Sequence, residues 1–231
     1  PRTAPTIENP DPIAIKELIK ASPTGILTVF SNGIIGATIT TIGPLFFLEA
    51  GYAIKYIGIM ISAYILGGLL GQIPMGLLSD FVPRRLLLLI MLATSCASSV
   101  VFHLLHINGG SMITLYIALT CLGITSNTIH AVAVAYTNDS LKPEQFVSAS
   151  AALIMISGFG TLIGPISVAA ILAIFGNNAF FIAVSIVFAL ILSIASYRAI
   201  GRKTTPIEDQ ADYMALPTRG TMLSAQIADE E

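Results

Sequence analysis

Six long runs without a single Asp, Glu, Lys or Arg decide what this chain can fold into. They cover about residues 25–48, 57–78, 86–105, 112–136, 147–175 and 179–197. Each is near the ~20 apolar residues that a helix needs to cross a bilayer. Of 231 residues, 55% are hydrophobic and only 10% are charged, where a soluble domain carries about 25% charged residues. In hydrocarbon every backbone N–H and C=O must be satisfied within the chain, which leaves helices or a closed barrel. The runs are long and do not alternate, so they read as helices. The fold class is therefore all-α: an integral membrane bundle of six helices, with the lipid bilayer as its first partner.

Polar segments flank the bundle. Residues 1–24 carry Pro1, Pro5, Pro10, Pro12 and Pro23, and they interleave Ile13, Ile15, Leu18 and Ile19 with Lys16, Glu17 and Lys20. That pattern fits either a short amphipathic segment on the membrane surface or a plain linker. Residues 198–231 hold Pro206, Pro217, six acidic residues and few large apolar ones, which predicts a disordered tail. Between the spans the connections are short. Gly51 suits a helix C-cap, and Pro143 with Glu144 suits the start of the fifth helix. The chain opens on Pro1 instead of Met and shows no cleavable leader, so a fragment or processed piece is expected.

Ten of the eleven Lys and Arg residues fall in the lead, the second and fourth loops and the tail; Lys55 alone falls in an odd loop. This bias predicts that both ends and the even loops are cytoplasmic. Asn138-Asp139-Ser140 matches a glycosylation sequon but then faces the cytoplasm, so it reads as a chance match. The net charge of −2 comes with no basic patch, and nucleic acid is not a partner.

The most informative stretch is 67–85. Gly67, Gly68, Gly71 and Gly76 stud the end of the second span, where small residues let a second backbone approach. Asp80 follows where the helix leaves the hydrocarbon, and its charge suits a neighbouring helix N-terminus. Arg84 and Arg85 then fall in a short loop, where cations hold it on the cytoplasmic side. Asp80 is expected to serve mechanics and not substrate binding.

Large polar groups inside the spans must face the bundle or a cavity, because exposure to lipid is costly. Asn32, Tyr64, Gln72, Ser126, Asn127 and His130 are the candidates for a cavity lining. Among these, His130 can titrate near neutral pH. The alternative for the whole set is hydrogen-bonded glue between helices. In the fifth span Gly160 and Gly164 form a Gly-x-x-x-Gly face, and Pro165 removes one backbone donor, a combination suited to tight packing and bending. Cys96 and Cys121 read as reduced packing residues. His103 and His106 lack a third ligand, so no metal and no cofactor are expected.

Gly76, Asp80, Arg84 and Arg85 resemble the loop signature of the major facilitator superfamily, roughly Gly-x-x-x-Asp-Arg-x-Gly-Arg-Arg. Phe81 and Pro83 depart from it, standing where a basic residue and a glycine are usual. The Gly-Pro fifth span resembles the corresponding helix of either half of that family. The amphipathic lead resembles its central cytoplasmic loop, and the stretch from Thr137 to Pro143 the loop before helix eleven in bacterial members, which points to the C-terminal half, helices seven to twelve. The resemblance covers about residues 25–198. It implies one six-helix half built of three-helix inverted repeats, partnered by the N-terminal half. It also implies secondary transport of a small solute by alternating access across a bacterial inner membrane. The substrate stays open. A non-transporting six-span membrane scaffold or binding protein is the alternative. An intramembrane enzyme is not expected: Ser126 and His130 share a helical face, but no nucleophile elbow and no carboxylate accompany them.

Overall fold

A computed structural model describes residues 15–142 and 145–200, the side chain of Ile200 excepted. The proline-rich start of the lead, the Pro143-Glu144 helix start and the tail from residue 201 lie outside the described residues. Among the described residues all regular structure is helical. A short helix, α1 (Ile15–Ala21), leads into α2 (Pro23–Thr41). Pro23 takes the first helical position, where its missing N–H costs nothing.

The apolar run 25–48 forms two helices, α2 and α3 (Gly43–Glu49). Pro44 lies in the first turn of α3 and cannot donate back to Thr40, so the continuous helix breaks at Ile42. The chain then turns at Gly51, whose φ of 85° needs a glycine. Tyr52 N–H donates to the carbonyl of Phe47 at 3.0 Å and Gly51 N–H to that of Leu48 at 3.0 Å, which closes the helix end.

Four long helices follow: α4 (Ile54–Phe81), α5 (Arg84–Ile107), α6 (Met112–Asn138) and α7 (Phe146–Phe175). A single turn, Asn177–Ala179, leads into α8 (Phe180–Ile200). Six of these helical segments are long and apolar enough to cross a membrane, and the protein is an integral membrane helical bundle.

Hydrophobicity alone does not hold helices together in lipid; close packing and interhelical hydrogen bonds do. α4 packs mainly on α6, and α7 mainly on α2. α2 and α6 meet at the centre, and α5 joins α6 to α8. Exchanging the first three spans with the last three maps the α4–α6 pairing onto α7–α2 and leaves the α2–α6 and α5–α8 pairings in place.

The same exchange holds at the level of single residues. On α4, Gly67 and Gly71 lie against the carbonyls of Thr120 and Ile124 on α6, and Gly123 of α6 lies against the carbonyl of Tyr64. On α7, Gly160 and Gly164 lie against the carbonyls of Phe30 and Ile34 on α2, and Gly33 of α2 lies against that of Ser157. Gly67 and Gly123 each stand three residues after the residue whose carbonyl the other covers, Gly160 and Gly33 do the same, and the two junctions are copies. At all six positions a Cβ would collide with backbone, which cannot swing aside.

Hydroxyls add to the hold. Ser95 Oγ and Thr125 Oγ1 are 2.7 Å apart between α5 and α6, and Ser99 Oγ and Ser185 Oγ are 2.8 Å apart between α5 and α8. The free Cys96 Sγ donates to the Ser185 carbonyl at 3.6 Å, and Cys121 is free and exposed.

At the end of the bundle away from Arg84, an aromatic cluster packs α3 onto α5 and α8. Phe46 stacks on Phe180, with ring centroids 4.9 Å apart, and Phe102 meets Phe181 at 4.1 Å. His106 belongs to this cluster, its Nδ1 2.9 Å from Tyr52 Oη.

Gly160→Ala should destabilise the bundle by roughly 1–3 kcal/mol through overpacking. Gly158→Ala, two residues earlier in open space, should be neutral or stabilising by up to about 1 kcal/mol from helix propensity. Unfolding of the purified variants in mixed micelles measures both; equal effects would contradict the packing argument.

Candidate functional site

α4 and α7 are each held on one side only, and between them the bundle opens into a groove of about 820 Å³. Four helices contribute to its walls: α2, α4, α6 and α7. Asn32, Gly36 and Thr40 come from successive turns of α2, Tyr64, Gly68 and Gln72 from successive turns of α4, and Asn127 and Ala131 from α6. Ser157 and Thr161 complete the wall from α7. The four-residue step places each series on one helical face.

The lining is polar but uncharged. Asn127 Nδ2 donates to the backbone carbonyl of Tyr64 at 3.1 Å, which fixes its amide. Among the described residues, neither Asn32 nor Gln72 has a hydrogen-bond partner. Thr40, Thr128 and Thr161 spend their hydroxyl protons on carbonyls of their own helices. Their oxygens are left as acceptors on the wall. Pro44 and Pro165 also lack the N–H that would otherwise bond the carbonyls of Thr40 and Thr161. The wall therefore offers amide donors, amide acceptors and hydroxyl oxygens, and no fixed charge.

Of the six sequence candidates, the structure brings Asn32, Tyr64, Gln72 and Asn127 together in this groove. Ser126 and His130 are not on its wall. Ser126 is fully buried and donates to Tyr64 Oη at 3.0 Å, not to His130. His130 is 4% exposed, and its Nδ1 has no hydrogen-bond partner. Gly160 and Gly164 sit in the α7–α2 junction, and Pro165 remains inside α7.

The loop signature folds into a charge clamp. Arg84 is the first residue of α5, and its side chain is 2% exposed. Its Nε donates to Ser79 Oγ on α4 at 3.2 Å, and its Nη1 pairs with Asp139 Oδ1 at the end of α6. One guanidinium thus joins the ends of three helices. Asp139, 4% exposed at its side chain, satisfies it. By sequence alone Asp139 reads as part of a chance sequon and Arg84 as a loop residue, whereas the structure pairs them and puts Arg84 at the start of α5. One signal pointed to the pair: a lone acid at the end of a chargeless span, on the same side as two arginines.

Gly76 is buried in α4, and Asp80 is exposed one residue beyond Ser79. Among the described residues Asp80 has no hydrogen-bond or ion-pair partner. Arg85 Nη2 donates to the Arg198 carbonyl at 2.6 Å, a cation on the carbonyl end of α8.

The sequence matches the model of the Major Facilitator Superfamily over residues 25–220. The chain belongs to the Major Facilitator Superfamily. It is 27% identical over 190 residues to an uncharacterized MFS-type transporter, YcaD, of Escherichia coli O17:K52:H18 (strain UMN026 / ExPEC), covering 80% of this chain and 48% of the relative. The K12 / DH10B strain's YcaD matches to the same extent. The chain spans about half the length of these curated relatives. The crystal structure of an auto-inhibited POT family peptide transporter superposes with a TM-score of 0.68 at 14% identity, covering 81% of this chain and 39% of that one. This likeness establishes the fold alone: the six spans adopt a major-facilitator arrangement, with the groove on the face between α4 and α7.

Removing one partner of a buried ion pair leaves an uncompensated charge. Asp139→Asn should therefore destabilise the protein by roughly 3 kcal/mol. Asp80→Asn, at an exposed position, should stay within about 0.5 kcal/mol. Thermal unfolding in detergent of both variants checks the contrast; a loss of stability confined to Asp80→Asn would reverse the assignment of the clamp.

Proposed function

We propose that this chain is one six-helix half of a secondary transporter, moving a small solute by alternating access together with a second six-helix half. The observation that carries the reading is the open groove. Its polar wall, Asn32, Gln72 and Asn127 included, is costly against lipid. A second wall, supplied by the other half, turns that groove into a midplane cavity. Chain length agrees, since the chain covers 48% of a relative named as a transporter. The groove lining, in particular Asn32 and Gln72, contacts the solute. Asp80, exposed at the end of α4, meets the other half and biases the inward–outward balance. Orientation follows the Lys and Arg bias, with the Arg84 end and both termini in the cytoplasm. The relatives' source fits a bacterial inner membrane. No enzymatic role is assigned, because Ser126 donates to Tyr64 Oη and not to His130.

Reconstitution tests this. The full-length protein in liposomes should give saturable solute flux, and this chain alone should give none above background. Saturable flux by the monomeric chain alone would overturn the half-transporter reading. Labelling of a cysteine at Lys142 by an impermeant reagent outside intact cells would reverse the orientation.

A further inference from the structure

A second concavity, which shares no lining residue with the polar groove, lies between α1, α2, α7 and α8. It has a volume of about 560 Å³, and its wall is almost wholly apolar. Ile15 and Ile19 of α1, Phe30 of α2, Phe159 of α7 and Ile194 of α8 line it, and Arg198 closes it at the end of the bundle. Ile15 and Ile19 are one turn apart and are 40% and 47% exposed. α1 thus presents a greasy edge over the mouth and leaves Lys16 and Lys20 exposed.

Among the described residues Arg198 is the one cation on this wall. Its carbonyl is taken by Arg85, but its own side-chain Nε is buried and without a hydrogen-bond partner among the described residues. A buried guanidinium N–H left unpaired is costly, and the chemistry that satisfies it is an oxyanion. The surroundings favour an anion too. Among the described residues, this end of the bundle carries Lys16, Lys20, Arg84, Arg85, Lys142 and Arg198 against Glu17, Asp80 and Asp139. Asp139 is spent on Arg84.

We propose that this groove binds one anionic glycerophospholipid, an acyl chain lying between α1, α2, α7 and α8 and the phosphate on Arg198. The combination selects the ligand. An apolar trough answers an acyl chain but not a free phosphate, and Arg198 answers a phosphate but not a neutral lipid tail. A basic pocket between membrane helices at headgroup depth is the arrangement that recognises such headgroups. The site does not depend on the transport reading, since it shares no lining residue with the polar groove. It makes the lipid part of the α1–α2–α7–α8 seam, where α7 and α8 touch each other little.

Native mass spectrometry of the delipidated full-length protein tests it, with phosphatidylglycerol and phosphatidylcholine titrated separately. The intact protein should retain one phosphatidylglycerol at concentrations where phosphatidylcholine is lost. Arg198→Gln should weaken that binding about fivefold, the equivalent of ~1 kcal/mol per basic residue at an anionic headgroup, and Arg198→Lys should recover part of it. Ile194→Trp, which fills the trough and leaves the charge, should weaken both lipids. Equal retention of the two lipids by the intact protein would overturn the proposal, as would unchanged phosphatidylglycerol binding in Arg198→Gln. Loss in Arg198→Gln without loss in Ile194→Trp would also overturn it, because it would reduce the site to a surface charge.

Discussion

Backbone meeting backbone at two glycine junctions is the contact on which the rest of this structure depends. In lipid, apolar side chains gain nothing by choosing one another over acyl chains, so helices associate where they can approach closely. Gly67, Gly71 and Gly123 provide that approach between α4 and α6; Gly33, Gly160 and Gly164 provide it between α2 and α7. Because each junction is one-sided, α4 and α7 pack mainly on the central pair and little on each other. The groove is the space this leaves. Its polar lining follows from the same geometry, since Gln72 and Thr161 each stand one residue beyond a junction glycine and are turned toward the opening.

The two ends of the bundle are closed by different chemistry. At one end Arg84 ties α4, α5 and α6 through Ser79 and Asp139, and Arg85 ties α5 to α8. At the other, the rings of Phe46, Phe102, Phe180 and Phe181 interlock α3, α5 and α8. Aromatic contacts need no partner charge and suit an end with few ionisable groups. α5 and α8 are thus tied to each other at both ends. In the proposed transporter that bracing favours movement of the whole half against its partner over rearrangement within it.

Much of this was legible before any coordinates. Chargeless runs define the helices because lipid tolerates nothing else, and Gly160-x-x-x-Gly164 announces its junction by spacing. Asn32, Tyr64, Gln72 and Asn127 could be selected as polar groups at depth. Three things were not legible. Gly33 and Gly123 are single glycines, with no repeat to mark them. Ser126 and Asn127 are neighbours in sequence, yet about 100° of helical rotation sends one behind Tyr64 and the other to the groove. Asp139 is 55 residues from Arg84, and only the α4–α5–α6 packing brings them together. Each miss concerns rotation about a helix axis or pairing between helices, quantities that hydrophobic length does not encode.

The central claim is that the α4–α7 face is a water-accessible cavity wall in the whole protein and not a lipid-facing surface. Single cysteines at Gln72 and Thr161, compared with one at Ile117 on the far side of the bundle, test it most directly. Cys96 and Cys121 would first be replaced. In the full-length protein in membranes, a small water-soluble thiol reagent should modify positions 72 and 161 and leave position 117 unmodified. Positions 72 and 161 as inert as position 117 would contradict the account.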